Sequence, residues 1–212
     1  PGLTGNYAHM VRYYTKGEDK FFSIYKLFKP TDKRRAVTFV RSFTSPANGK
    51  KYALPLVNPA VPNDSTPFWN KWWDPNNTAV TSNSEANVPI IRYAELLLIH
   101  AEAENEVNGP TLKAYKSINK VRSRAGLPNL TAGLTKNQFR DSVYFERRLE
   151  LVYEYQRWFD LIREKDADGN GILLKSLQKV GKTNVTEKNY LYPIPQTELD
   201  NNPLLKQNVL WE

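Results

Sequence analysis

Glu146-Arg147-Arg148-Leu149-Glu150-Leu151-Val152-Tyr153-Glu154-Tyr155-Gln156-Arg157-Trp158-Phe159-Asp160-Leu161 is the stretch that decides how this chain folds. Set on a helix at roughly 100° per residue, Glu146, Arg147, Glu150, Glu154 and Arg157 fall in one sector, and apolar or aromatic residues fill most of the rest. The pattern predicts a mostly buried helix whose charges pair with one another. A sharper reading is catalytic, because carboxylates interleaved with arginine could be the acid and base of a glycosidase. That chemistry needs two carboxyls facing each other across a sugar ring. Carboxyls on successive turns of one helix point the same way and cannot flank a bond. The stripe is therefore expected to be structural, with no catalytic residue in it.

The start of this helix is written just upstream. Thr135 and Gln138 form a capping box and Leu134 with Phe139 the hydrophobic staple across it, so the helix is expected to run from there to about Arg163. An earlier helix opens at Asn87-Val88-Pro89, with Asn87 or Val88 at the cap and Pro89 in the first turn, and stops at Asn108-Gly109-Pro110. Thr111 caps the next, in which Ala114, Tyr115, Ile118 and Val121 form one apolar face before Gly126 and Pro128 end it. Small Ala101 and Ala103 would let a neighbour approach closely. Antiparallel helices with short joints predict a layer resembling a helical repeat.

Residues 1–87 have a different texture, rich in Pro, Asn, Ser and aromatics. Short β-leaning runs such as Ala36-Val37-Thr38-Phe39-Val40 alternate with turn signals such as Pro46-Ala47-Asn48-Gly49, and one helical turn is expected around Phe22–Phe28. The fold class read from this is mainly α: a helical region, 88–212, packed with a loop-rich segment, 1–87, that carries a few short strands.

Composition narrows the function classes. The 212 residues contain no cysteine, which excludes disulfides, thiolate catalysis and cysteine-based zinc sites in this segment. No apolar run approaches the ~18 residues of a membrane-spanning helix. The net charge of +8 lies entirely in residues 1–60, which hold eleven Lys/Arg against three Asp/Glu. A basic half of this kind suits either a solvated face or a nucleic-acid binder. The helices are charge-balanced and show no basic stripe.

Three further patterns carry possible chemistry. Asp166-Ala167-Asp168-Gly169-Asn170-Gly171 fits the first half of an EF-hand loop, but the twelfth position, where a bidentate Glu belongs, is Leu177. A polar turn between helices is expected there, with weak calcium binding as the alternative. His9 and His100 are the two histidines, and His100 has no second ligand at i±4, so no metal site is expected. No nucleotide-binding, zinc-protease or serine-hydrolase motif is present, and no cofactor is expected. The aromatic cluster Phe68-Trp69-Asn70-Lys71-Trp72-Trp73-Asp74, with Tyr52 upstream, has two readings. Its rings could stack on the C–H faces of sugars while Asn70 and Lys71 bond hydroxyls, or they could anchor the loop to the core. We expect Trp69 to be the exposed ring and one of Trp72 and Trp73 to be the anchor.

The signature stretch resembles that of the SusD/RagB family, through Glu146-Arg147-Arg148, Glu150-Leu151, Glu154, Arg157-Trp158 and Asp160-Leu161. Other matches follow in the family's order. They are Asp32-Lys33-Arg34-Arg35, then Arg92-Tyr93-Ala94-Glu95 with Ala101-Glu102-Ala103, then Ile118-Asn119-Lys120-Val121-Arg122 with Arg124-Ala125-Gly126-Leu127, and last Tyr190-Leu191-Tyr192-Pro193-Ile194-Pro195 with Gln207-Asn208. Tyr155 departs from the pattern, standing where many members have glycine. The resemblance implies a non-catalytic, surface-exposed outer-membrane lipoprotein that captures a nutrient, most often a glycan or oligosaccharide, for a SusC-like TonB-dependent transporter. A nucleic-acid-binding module and a glycan-degrading enzyme are the alternatives. By the same resemblance this chain is expected to be the C-terminal part of a longer protein. The remainder would hold the signal peptide, the lipid-bearing cysteine and most of the helical-repeat layer.

Overall fold

Six elements precede the long helices in the structure, a computed structural model that describes residues 24–45, 49–54, 67–71, 87 and 89–212. A single turn, α1 (Ile24–Leu27), leads to α2 (Lys33–Thr38). The run Ala36–Val40 was expected as a strand, and its first three residues are helical instead. Asp32 is the reason: its carboxylate accepts the Arg34 N–H at 2.9 Å and caps α2. Extended backbone begins with β1 (Phe39–Val40), followed by β2 (Ser42–Thr44), β3 (Lys51–Ala53) and β4 (Phe68–Trp69). β2 and β3 pair antiparallel with Phe43 opposite Tyr52, and β1 pairs antiparallel with β4, Phe39 opposite Trp69.

Three helices form the larger core: α3 (Tyr93–Asn108), α4 (Leu112–Arg124) and α5 (Lys136–Glu150). Thr111 accepts the Ala114 N–H at the start of α4, and Thr135 with Gln138 completes the capping box of α5. At the end of α4, Leu127 N–H donates to Arg122 and Gly126 N–H to Ser123, with Gly126 at φ +74°. That is a Schellman ending, which needs a residue without Cβ strain. Leu98, Ala101, Ala114, Ile118, Val121, Phe139 and Val143 fill the space between the helices, with Leu134 packed against them. Ala101 is fully buried and admits the neighbouring helix, while Ala103, two positions on and about 200° around, is exposed.

Two helix boundaries differ from expectation. α3 begins at Tyr93 rather than at Pro89, because its cap residue Arg92 is extended (φ −120°, ψ 154°) and its guanidinium is bound to Glu150 and Glu154. The long helix expected to reach Arg163 ends at Glu150 and resumes as α6 (Arg157–Arg163). Between them Tyr153 and Tyr155 both take φ +63°, which no helix tolerates. Residues up to Tyr155 form one compact unit and those from Gln156 on another. The second unit holds α6, α7 (Leu173–Gln178), a 3-10 turn at Glu187–Tyr190, α8 (Gln196–Asn201) and a 3-10 turn at Val209–Trp211.

Candidate functional site

Every charged residue of the α5 stripe is buried. Glu146 is 0% exposed and Glu150 3%, and each needs positive partners to stay ionised. Arg34 supplies the first: Nη1 lies 2.7 Å from Glu146 Oε1 and 3.1 Å from Glu150 Oε2, while Nη2 donates to Asp32 Oδ2 at 2.7 Å. Arg122 donates to Glu146 Oε2 at 2.9 Å, and Arg124 donates to Glu150 Oε2. Arg92 grips Glu154 in a bidentate pair, 2.7 Å at both oxygens, and also donates to Glu150 Oε1 at 3.0 Å. Lys71 binds Glu154 and donates to the carbonyls of Glu150 at 2.9 Å and Val152 at 3.0 Å. Arg147 is buried with Glu95 3.9 Å away. Apart from the Arg147–Glu95 pair, four carboxylates and five cations thus interlock through one sequence-distant cluster.

The electrostatics follow from that crowding. Burial alone would raise the Glu150 carboxyl, yet Arg124, Arg92 and Arg34 outweigh it and hold it below the ordinary carboxylate range. Burial likewise opposes the charge on Arg34, but Asp32, Glu146 and Glu150 leave it more firmly protonated than usual. Lys71 goes the other way: burial keeps its ammonium below the usual lysine value despite Glu154.

The structure separates the residues expected to face a ligand. Trp69 was expected exposed and is 6% exposed, because its ring lies 4.7 Å from Phe39 and stacks on Tyr153 at 5.2 Å and 13°. It is the anchor of its loop. Lys71 is committed to Glu154 and two carbonyls, and Asn70 Nδ2 donates to Val37 O at 3.1 Å. Tyr52 stacks on Phe43 at 5.2 Å, with the Lys50 ammonium 5.5 Å above its ring. Trp72 and Trp73 lie outside the described residues, as does His9. His100 Nδ1 is 2.9 Å from Ser117 Oγ, a polar link between α3 and α4. Arg157 was placed in the stripe by the sequence. In the structure it opens α6 and donates to Glu164 at 2.9 and 3.2 Å, while Asp160 receives Arg163 at 2.8 Å.

Arg34, Arg92, Arg122 and Arg124 are the partners that periodicity could not assign. All four sit in the motifs quoted above, which was the available signal.

In the second unit, Glu164 is buried, and burial followed by the nearby Asp160 pushes its carboxyl above the ordinary value against the pull of Arg157. A raised folded-state value means that the folded form takes up a proton before the unfolded one. Its burial penalty is present at neutral pH and is relieved as pH falls through the raised value, fully so below the unfolded one. Hydrogen exchange of the α6 amides should therefore slow, or hold steady, as pH drops from 7 to about 5 after correction for intrinsic rates. The Glu164→Gln variant should lose that pH response. An α6 that opens more readily over this range would contradict the assignment.

The EF-hand-like loop uses Asp166 differently. Its Oδ1 accepts the N–H groups of Asp168 at 3.1 Å and Asn170 at 2.9 Å, and Asn170 O accepts the Asp166 N–H. That is an Asx-type turn with Gly169 at φ +85°. Millimolar calcium added to chelated protein is expected to leave the thermal midpoint unchanged. A rise of several degrees that vanishes in Asp168→Ala would show otherwise.

The family model of the SusD family matches residues 3–211. Three SusD-like proteins of Formosa agariphila are similar. One is 35% identical over 175 residues, covering 77% of this chain and 32% of its own length. Another is 34% identical over 132 residues, 59% of this chain and 26% of its own. Among solved structures, surface glycan-binding protein A from Bacteroides uniformis is 32% identical with TM-score 0.62, covering 87% of this chain and 39% of that one. A SusD homolog from Bacteroides thetaiotaomicron is 29% identical with TM-score 0.64, covering 84% and 40%. The chain spans about a quarter to a third of the length of the curated relatives it matches.

Proposed function

This chain belongs to the SusD family, and on that premise we propose that it is part of a cell-surface protein that binds a glycan without cleaving it. The whole protein then passes the glycan to a SusC-like TonB-dependent transporter in the outer membrane, to which a lipid anchor holds it. One observation carries the reading: the family match runs along almost the entire chain, and a similar solved structure is a surface glycan-binding protein. The carboxylates favour binding over hydrolysis. Glu146, Glu150 and Glu154 are each held by arginine or lysine inside the network, where they support the fold. Trp72 and Trp73 are the ring candidates that this reading keeps in the 1–87 segment.

The test is calorimetry on the full-length parent with a panel of neutral and acidic oligosaccharides, with the products analysed after incubation. Binding with intact products is expected. Shortened products would make the protein an enzyme, and salt-sensitive retention of DNA without glycan binding would make it a nucleic-acid binder. Co-purification of a TonB-dependent transporter with the tagged parent checks the partner.

A further inference from the structure

Tyr153 and Tyr155 are the two non-glycine residues with positive φ among the described residues, both at +63°. Such backbone is strained for a residue with a Cβ, and it persists only where the surroundings enforce it. The enforcement here is visible on one side of the turn. Glu154, between the two tyrosines, is clamped by both donors of Arg92 and by Lys71. On the other side Tyr153 is stacked on buried Trp69. Neither support requires a ring at position 155, where glycine would take the same φ freely.

The Tyr155 side chain is 76% exposed, so packing does not explain it. Its ring is instead the outermost step of an aromatic series that starts in the core. Phe39 meets Trp69 at 4.7 Å, Trp69 meets Tyr153 at 5.2 Å and 13°, and Tyr153 meets Tyr155 at 6.5 Å and 27°. The first two rings are buried and the third is half-buried. A strained backbone thus displays an aromatic face to solvent from a stiff, core-anchored stack.

We propose that Tyr155 is a stacking platform for a pyranose ring of the bound glycan. The inference rests on the glycan-binding reading and gives it a residue outside the Trp-rich loop. The chemistry is contact between the C–H face of the sugar and the phenol ring. The neighbouring charges, Glu154, Arg92 and Lys71, satisfy one another, so the recognised ring is neutral and its binding is insensitive to salt.

Calorimetry on the full-length parent with maltohexaose, laminarihexaose, xylohexaose and mannohexaose tests this, alongside Tyr155→Gly and Tyr155→Phe. The parent is expected to bind at least one of the four with the same affinity at 50 and 500 mM NaCl. Tyr155→Gly should weaken that binding about tenfold, by analogy with base stacking, while melting at or above the parent's temperature because strain is removed. Tyr155→Phe should retain affinity within about twofold, since the stacking face is unchanged. Unchanged affinity in Tyr155→Gly, for a sugar the parent binds, would remove Tyr155 from the site and leave the glycan reading standing. Lost affinity with a lowered melting temperature would assign the ring to the fold and overturn the proposal. A parent that binds none of the four would take down the neutral-glycan reading and the platform together.

Discussion

The Glu150→Gln variant is expected to lose about 3–5 kcal/mol of stability, the usual consequence of removing one member of a buried charge cluster. Glu150 is where the network converges, taking Arg34, Arg124 and Arg92 on its two oxygens. Glutamine keeps the shape and removes the charge, so three guanidinium groups face one another with less compensation. They cannot escape by losing a proton, because a guanidinium stays protonated throughout the ordinary pH range whether or not Glu150 faces it. Arg124 is half in solvent and contributes less to the loss. Urea unfolding followed by circular dichroism measures the effect, and an unchanged midpoint would show that the network tolerates losing its centre. Acid should mimic the variant. The folded value of Glu150 lies below its ordinary value of 4.5, so its contribution is complete above about that pH and is lost as pH falls through the folded value.

Trp69→Ala is expected to cost about 3–5 kcal/mol, as large-to-small changes at a buried indole do. The ring sits in a cluster with Phe28, Phe39 and Leu149, and its loss opens a cavity that the short β1–β4 pair is poorly placed to collapse. It also removes the surface on which Tyr153 rests, so the left-handed turn loses one of its two supports. The drop in melting temperature should therefore be accompanied by faster exchange of the amides at 151–155. A variant as stable as the parent would mean that the tryptophan had been free to leave its site. The expected loss reverses the sequence-based expectation, which made Trp69 a surface ring.

Local chemistry was readable and tertiary chemistry was not. Thr111, Thr135 with Gln138, and Gly126 each act on backbone groups within a turn of themselves, so their spacing alone places the ends of α4 and the start of α5. The break after Glu150 has no glycine or proline to announce it. It is imposed by Glu154 reaching Arg92 and Lys71 and by Tyr153 reaching Trp69, partners far away in the chain. The one clue lay in the family resemblance, which puts glycine where Tyr155 stands, and the φ of +63° there is one that glycine adopts without strain. α2 is a similar case, since β-branched and aromatic residues suggested a strand and the Asp32 cap with its buried arginine prevailed. For the candidate site, helical spacing showed that the stripe charges must be paired, but it could not say that the loop-rich half would supply Asp32, Arg34 and Lys71.

The spacing of those partners also sets the order in which the first unit assembles. Arg122 reaches Glu146 across 24 positions and Arg124 reaches Glu150 across 26, whereas Arg34 reaches Glu150 across 116. Loop-closure entropy makes the longest of these about 1–2 kcal/mol harder to close than the shortest. The helix-to-helix pairs are therefore expected to close before Arg34 arrives. Once α4 and α5 have met, Glu146 and Glu150 stand side by side with their repulsion only partly cancelled, which makes them a ready receptor for the last guanidinium. A contact that forms that late is expected to slow the opening of the folded chain, and so its proteolysis, more than it speeds folding.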